Sequence, residues 1–359
     1  SSALLLTLDK PLEGAAAVAI LAPEPLELDV STAPATAAWA AQWLSRQGVP
    51  AVLAAAPTAG LIKVVNEGAE PMSVGADRAL SLAGAKGVMA IAALRGAVPP
   101  ASYGRQWPLP VEALTTDLLT HTFRGSSRWS LRYKLADLPD GSAPGNLSLS
   151  LRTSLLQEAN QWTLRVLLNG SLIHSANYPG AGDTISLDVP LPPALQGLTN
   201  EIVVTLVDNT PNQGICRAGP EAAAQLLPES RLDASPAPAD DKQALVKALA
   251  TAASVAIPPE SGAGLPAAEF LTGMLDLILP LDTETTFAAA EGSTTIEVVN
   301  GERLHSLISA GSSEGARNAF LVVPSSRARP DGIAVLRLAQ TGSPPASMDI
   351  GPNALLVTW

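Results

Sequence analysis

The sequence is short of the groups that most binding chemistries need. Among 359 residues there is one cysteine, Cys216, so neither an internal disulfide nor a cysteine-built metal site can form. Charged residues make up 15% and aromatic residues 4% of the chain, both low for a soluble protein. Lys and Arg number 22 against 33 Asp and Glu, a formal charge of −11, and no basic block interrupts the sequence. Nucleic acid is therefore excluded as an expected partner, because phosphate binding requires clustered cations. No apolar run reaches the ~20 residues that span a bilayer. The nearest, Ala79 to Ala97, is broken by Lys86 and Arg95. What is abundant is apolar residues, 47%, which supply a large core and exclude wholesale disorder.

Three histidines, His121, His174 and His305, stand far apart and in no metal-ligand spacing, so no metal is expected. Gly262, Gly264 and Ala267 fit the G-x-G-x-x-A dinucleotide fingerprint, but Pro258, Pro259 and Pro266 surround it and no strand is read before it. No cofactor is expected. Gly311, Ser313 and Gly315 match the nucleophile elbow, with Ser313 as nucleophile. The elbow needs a later histidine, and the last one, His305, precedes it. A serine esterase using Ser313 is thus the weakest of three functional readings, and no catalytic residue is assigned. The acidic residues Glu158, Asp183, Asp188 and Asp208 define no glycosidase pair by themselves.

The chain changes character twice. From Ser1 to Pro100, apolar stretches at Ala3 to Leu8, Ala15 to Leu21 and Val49 to Ala55 enclose a helix predicted over Thr36 to Gln47. There Trp39, Trp43 and Leu44 share a face and Gly48 ends the helix. Strand, helix, strand with continuous apolar runs predicts an α/β layer. From Trp107 to Val207 the period becomes two. Trp129, Leu131, Tyr133 and Leu135 alternate with Arg128, Ser130, Arg132 and Lys134. Leu147, Leu149 and Leu151 repeat the pattern, as do Trp162, Leu164, Val166 and Leu168 before the hairpin signal Asn169-Gly170. Further strands are predicted at Thr184 to Val189 and Glu201 to Val207, giving an antiparallel sandwich or jelly roll. After a Pro/Ala/Asp-rich linker at Asp233 to Asp241, α/β habits return. A helix is predicted over Lys242 to Ala253 behind an Asp241 cap, with another over Glu302 to Ala310. Strands are predicted at Leu275 to Leu279, Thr294 to Val299, Phe320 to Val323 and Gly332 to Ala339.

The aromatics concentrate in the middle segment, where Trp107, Phe123, Trp129, Tyr133, Trp162 and Tyr178 lie. Sugar rings stack on exposed aromatic faces, so Trp162 and Trp107, and after them Trp129 and Tyr133, are the candidate carbohydrate-binding residues. Core filling is the competing role, above all for Trp129 and Tyr133, which share a face with Leu131 and Leu135. On the ligand reading, Trp162→Ala weakens binding to cello-oligosaccharides and leaves the fold intact.

The series running from Phe123 through Arg132 and Tyr133, then Leu164 to Ile173 around Asn169-Gly170, Val189 to Pro193, and Gly197 to Ile202 resembles the periplasmic, membrane-anchored subunit of bacterial cellulose synthase. Gly214 to Cys216 and Pro228 to Leu232 are similar to that family's exit from its β domain. The resemblance implies a carbohydrate-binding-like jelly roll at 101–235, flanked by flavodoxin-like α/β domains at 1–100 and 236–359. It also implies that the jelly roll is the second of the family's two, and that the chain is a fragment or processed piece. The N-terminus begins without Met and the C-terminus, at Trp359, stops abruptly after an apolar run. The implied function is non-catalytic: contact with the nascent β-1,4-glucan and support of the catalytic subunit, in the periplasm. The inner membrane would be reached through a segment missing from this chain, and a homo-oligomer is compatible with this role. The alternative is an assembly scaffold of an exopolysaccharide secretion complex without sugar binding.

Overall fold

The computed structural model describes residues 15–55, 62–75, 79–96, 106–156, 161–181, 183–209, 221–236, 241–259 and 261–287, and strands at 294–299, 318–323, 334–339, 347–351 and 354–358. The chain divides into two compact units. One comprises residues 1–100 together with 252–359, and the other comprises 101–251. The two α/β segments expected as separate domains therefore contribute to one unit. The boundary expected at 235 falls after Thr251, because the helix assigned to the third segment packs on the β domain instead.

The N-terminal half of the α/β unit contains α1 (Ala15–Leu21), β1 (Leu26–Asp29), α2 (Pro34–Arg46), β2 (Ala51–Ala54), β3 (Ile62–Val65), β4 (Met72–Val74), β5 (Leu80–Ala83) and α3 (Gly84–Leu94). The run at Ala15 to Leu21 is helical where a buried strand was expected. Four of its seven residues are Ala, the strongest helix former. The sheet order is β2-β1-β3-β5-β4, parallel throughout except for the antiparallel edge strand β4. Helix α2 starts with Pro34 in its first turn, where a missing N–H costs nothing. It buries Trp39 and Leu44 as its spacing predicts, and Trp39 stacks on Trp43 at 5.8 Å.

The β unit contains β6 (Leu109–Pro110), β7 (His121–Phe123), β8 (Ser126–Lys134), β9 (Pro144–Thr153), β10 (Gln161–Leu168), β11 (Ser171–Pro179), β12 (Thr184–Pro190), β13 (Thr199–Asp208), β14 (Ala222–Leu226) and β15 (Arg231–Ala234), followed by α4 (Asp241–Thr251). One sheet has the order β11-β10-β13-β8. The other runs β6-β15-β9-β14-β7, with β12 pairing β9. Every pairing is antiparallel. This is the sandwich expected from the period of two. Its core contains the predicted inward residues Trp129, Leu131, Leu147, Leu149, Leu151, Trp162, Leu164, Val166 and Leu168, joined by Ile202, Val204 and Leu206 of β13, each at most 1% exposed. Asn169 and Gly170, with φ of 49° and 82°, make the two-residue turn joining β10 to β11.

The C-terminal half of the α/β unit contains β16 (Val255–Ala256), α5 (Leu265–Ile278), β17 (Thr285–Thr286), β18 (Thr294–Val299), β19 (Asn318–Val323), β20 (Ala334–Ala339), β21 (Ser347–Gly351) and β22 (Ala354–Thr358). Their sheet has the order β17-β16-β18-β20-β19-β22-β21. Only β16, β17 and β18 pair in parallel, and from β18 onward every pairing is antiparallel. The strand expected at Leu275 to Leu279 is the end of α5. Ala268, Leu271, Met274, Leu275 and Ile278 form its buried stripe at helical spacing. The α5 side meets α2: Thr272 Oγ1 donates to the Ala38 carbonyl at 3.2 Å, and Arg46 Nη1 donates to that of Leu279 at 2.8 Å. The strands expected at Thr294, Phe320 and Gly332 are present as β18, β19 and β20. The helix expected at Glu302 to Ala310 and the strand at Ala3 to Leu8 lie outside the described residues. No helix among the described residues is long and apolar enough to cross a membrane.

Candidate functional site

The aromatic residues expected to stack on sugar are mostly interior. Trp162 and Trp129 are 0% exposed and Tyr133 is 3% exposed. All three occupy the inward phase of β10 and β8, alternating with outward polar residues, so no sugar ring reaches the Trp129 and Trp162 faces, whereas Tyr133 borders the groove described next. Trp162 packs against Phe123 and Trp129 against the His121 ring. The Tyr133 hydroxyl donates to Gln196 Oε1 at 3.2 Å, and burial pushes its pKa upward. Trp107 is half-buried, with its Nε1 donating to Asp140 Oδ1 at 3.4 Å. It is the most open of the four. Trp162→Ala is thus a core truncation and not a ligand-site change.

What the sandwich does present is an open groove of about 480 Å³ lined mainly by polar and charged residues, within the range of small-ligand sites. Arg132, Tyr133 and Lys134 of β8, Thr199, Asn200 and Glu201 of β13, Asn169 of the β10–β11 turn and Asp137 line it. Backbone pairing builds it, since β8 and β13 place Thr199 opposite Lys134 and Glu201 opposite Arg132. The turn residue Asn169 fixes the third wall. Its Nδ2 donates to the Leu195 carbonyl at 2.7 Å and to Asn200 Oδ1 at 2.9 Å, and its Oδ1 accepts from the Glu201 N–H at 2.9 Å. Asn200, 5% exposed, is itself held by Gly197: its Oδ1 accepts the N–H and its Nδ2 donates to the carbonyl, each at 2.8 Å. The floor is therefore a closed amide network with little freedom to rearrange.

Glu201 supplies the charged wall. Its Oε1 accepts from Ser130 Oγ at 2.5 Å and from Arg132 Nε and Nη2 at 3.1 and 3.0 Å. The Ser130 hydroxyl, and after it the Arg132 guanidinium, holds the Glu201 carboxyl below its ordinary pKa. All three donors land on Oε1, so Oε2 has no partner among the described residues. The groove thus offers both donors and acceptors to a polyhydroxylated ligand. Of its lining residues, sequence reasoning named only Tyr133 as a candidate for sugar contact. Its residues come from three chain regions, and only the β8–β13 register brings them together.

Asp117, His121 and Ser127 form a hydrogen-bonded chain that the sequence also concealed. His121 Nε2 lies 2.7 Å from Asp117 Oδ1, and its Nδ1 lies 2.6 Å from Ser127 Oγ. These are the residue types of a hydrolase triad, but their exposure is inverted. Ser127 faces inward at 7% exposure, whereas the Asp117 side chain is 46% exposed. A nucleophile must meet its substrate, and this oxygen is in the wall of the core. Ser313, His305 and Cys216 lie outside the described residues. Gly264 directly precedes α5, and β16 ends six residues before Gly262, so the glycine pair does lie between a strand and a helix, contrary to the expectation.

Residues 139–237 match the family model of the first carbohydrate-binding-module (CBM) domain of cellulose synthase BcsB. The sandwich is therefore similar to a carbohydrate-binding-module domain of the BcsB subunit of bacterial cellulose synthase over that span. The match corrects one implication of the resemblance, since the segment corresponds to the first such domain and not the second. No curated protein matches the chain in sequence. Among solved structures, the chain is similar to the insecticidal δ-endotoxin Cry8Ea1 of Bacillus thuringiensis, at 9% identity and TM-score 0.22, over 32% of this chain and 19% of that one. A family 35 carbohydrate-binding module from an environmental isolate aligns at 13% identity and TM-score 0.18, over 34% of this chain and 77% of that one. The CBM36-1 domain of a xylanase from the hindgut metagenome of Trinervitermes trinervoides aligns at 13% identity and TM-score 0.21, over 36% and 96%. The chain therefore spans about a fifth of the toxin's length. At these scores the structural likenesses add nothing to the BcsB match.

Proposed function

We propose that this chain is a non-catalytic periplasmic component of cellulose synthase whose sandwich contacts the nascent β-1,4-glucan and supports the membrane-embedded catalytic subunit. The observation that carries the reading is the BcsB match over residues 139–237, the span containing Asn169, Asn200 and Glu201 of the groove. The N-terminal half of the α/β unit, with its parallel order β2-β1-β3-β5, is assigned to the flavodoxin-like type, without flavin, and serves assembly, whereas the C-terminal sheet, antiparallel from β18 onward, departs from the flavodoxin-like domain expected at 236–359. The glucan is held by hydrogen bonds to Arg132, Thr199, Asn169 and Glu201. A net hydrogen bond contributes only about 0.5–1.5 kcal/mol, which suits a chain that must slide.

Isothermal titration with cellohexaose tests this. Wild type is expected to bind, and Arg132→Ala/Thr199→Ala, both exposed positions, to bind roughly tenfold more weakly, about 1.4 kcal/mol. Failure of the wild-type chain to bind cellohexaose or to be retained on cellulose would refute the glucan half. An assembly scaffold without sugar affinity is the second reading. It is favoured by the burial of Trp129, Trp162 and Tyr133, which removes the usual stacking surface.

A further inference from the structure

The outward face of the sheet β11-β10-β13-β8 carries two arginines, Arg128 and Arg165, that do not line the groove. In register, Arg128 of β8, Thr205 of β13, Arg165 of β10 and Ser175 of β11 form one row across the strands. The adjoining row contains Thr163 and Asn177, joined at 2.6 Å. Arg132 and Lys134 follow along β8. At the outward positions of these four strands, four cations thus face one carboxylate, Glu201, on a chain whose formal charge is −11. Arg132 is committed to Glu201. Arg128 and Arg165 are exposed, and among the described residues neither side chain has a hydrogen bond or ion pair; Arg128 only adds to the field at Glu201. At ~4.8 Å per strand their backbones stand ~10 Å apart, and Arg132 lies ~13 Å along β8 from Arg128.

No aromatic side chain stands outward on this face, so stacking on a neutral sugar ring contributes nothing here. Guanidinium groups are planar forks suited to carboxylates. Thr205 lies between them in register, with Val203 and Val207 next on the same face of β13, and Ser130 and Thr163 flank the row as short hydroxyl groups. A single polymer strand laid along the row can meet both arginines and the Thr205 hydroxyl between them. We infer that this face binds an acidic polysaccharide, one carrying carboxylates on its sugars, laid across the strands from Arg128 to Arg165. The inference rests on the reading of the sandwich as a glycan-contacting domain, and extends it from a neutral to an anionic ligand at a surface beside the groove.

The test titrates the 359-residue chain with hexagalacturonate and with cellohexaose, in wild type and in Arg128→Glu/Arg165→Glu. Hexagalacturonate is expected to bind wild type, to lose about tenfold or more in the double variant, and to weaken several-fold from about 50 to about 300 mM NaCl as screening shortens. Cellohexaose affinity is expected to stay within about twofold, since neither arginine lines the groove. Cellohexaose binding without hexagalacturonate binding, or equal hexagalacturonate affinity in the double variant, overturns the inference and leaves the glucan reading standing. Binding of neither oligosaccharide overturns both. Retention on phosphatidylglycerol vesicles without hexagalacturonate binding assigns the face to a membrane and equally overturns it.

Discussion

Trp162 separates a core residue from a ligand residue in one experiment. Its indole is 0% exposed, lies directly across from Tyr178 on β11, and meets Phe123 at 6.1 Å. Truncating such a side chain to alanine costs about 3–5 kcal/mol. Its Nε1–H, however, has no hydrogen-bond partner among the described residues. Truncation also removes that donor, whose burial costs about 1–3 kcal/mol, so the net loss for Trp162→Ala centres on about 2 kcal/mol. In a domain of this size that lowers the melting temperature by roughly 4–8 °C. Trp162→Phe retains a ring against Phe123 and discards the unpaired donor, so it is expected within about 1 kcal/mol of wild type. Near-ultraviolet circular dichroism melts measure the order, and cellohexaose titration below the transition measures binding. Both variants should bind as wild type does while folded. An alanine variant that melts within about 1 °C of wild type yet no longer binds cellohexaose would show the indole to be ligand surface and refute the core assignment.

Gly141 and Glu201 give two further tests. Gly141 has φ of 65°, and a Cβ there would lie 2.8 Å from the Val246 carbonyl and 2.9 Å from Lys247 Cα of α4. Gly141→Ala should therefore destabilise the β unit by more than about 1 kcal/mol and displace α4, read as a lowered melting temperature with earlier proteolysis at that helix. Glu201 has a folded-state pKa below its ordinary value, so its contribution is present above the usual Glu range and disappears as pH falls through the lowered value. Melting temperatures of wild type and Glu201→Gln should accordingly converge as pH falls through that lowered value; a gap that stays constant from neutral pH down would refute the pairing with Ser130 and Arg132.

The sandwich was legible because alternation fixes both strand and face. Trp162 shares its phase with Leu164, Val166 and Leu168, all at 0% exposure, and that phase alone places it inside. Assigning it to ligand binding set the general habit of aromatics in sugar sites against the local period, and the period won. The stretch ending at Leu279 misled in the opposite way. Read as five residues it resembles a buried strand, but the stripe begins at Ala268, and Leu271, Leu275 and Ile278 have helical spacing. Strands β6, β7, β14 and β15 run two to five residues each. At that length no period develops, and their existence depends on the neighbours that pair with them. The groove was illegible for a related reason. Asn169 could be read as a turn residue, but its bonds to Leu195, Asn200 and Glu201 span 26 to 32 positions.

The division of residues between interior and surface constrains what kind of recognition this sandwich can perform. With only 4% aromatics in the chain, filling the core with Trp129, Trp162 and Tyr133 leaves few rings for the outside. The two sheets face outward through other chemistry. On the β9–β12 side Ser148 Oγ donates to Asp188 Oδ1 at 2.5 Å, and Ser150 and Ser186 lie 3.2 Å apart, so those polar groups largely satisfy one another. The Ser148 hydroxyl and the Asn146 amide hold the Asp188 carboxyl below its ordinary pKa. On the β8–β10 side Arg128 and Arg165 have no such partners among the described residues. A surface whose hydrogen bonds are already internal gains little from a ligand, because each new contact must replace one already made. Unpaired guanidinium groups instead exchange water for a charged acceptor, where a hydrogen bond contributes about 1.5–3 kcal/mol. Recognition is therefore expected on the face whose charges are unspent, and the opposite face is expected to serve the sheet itself.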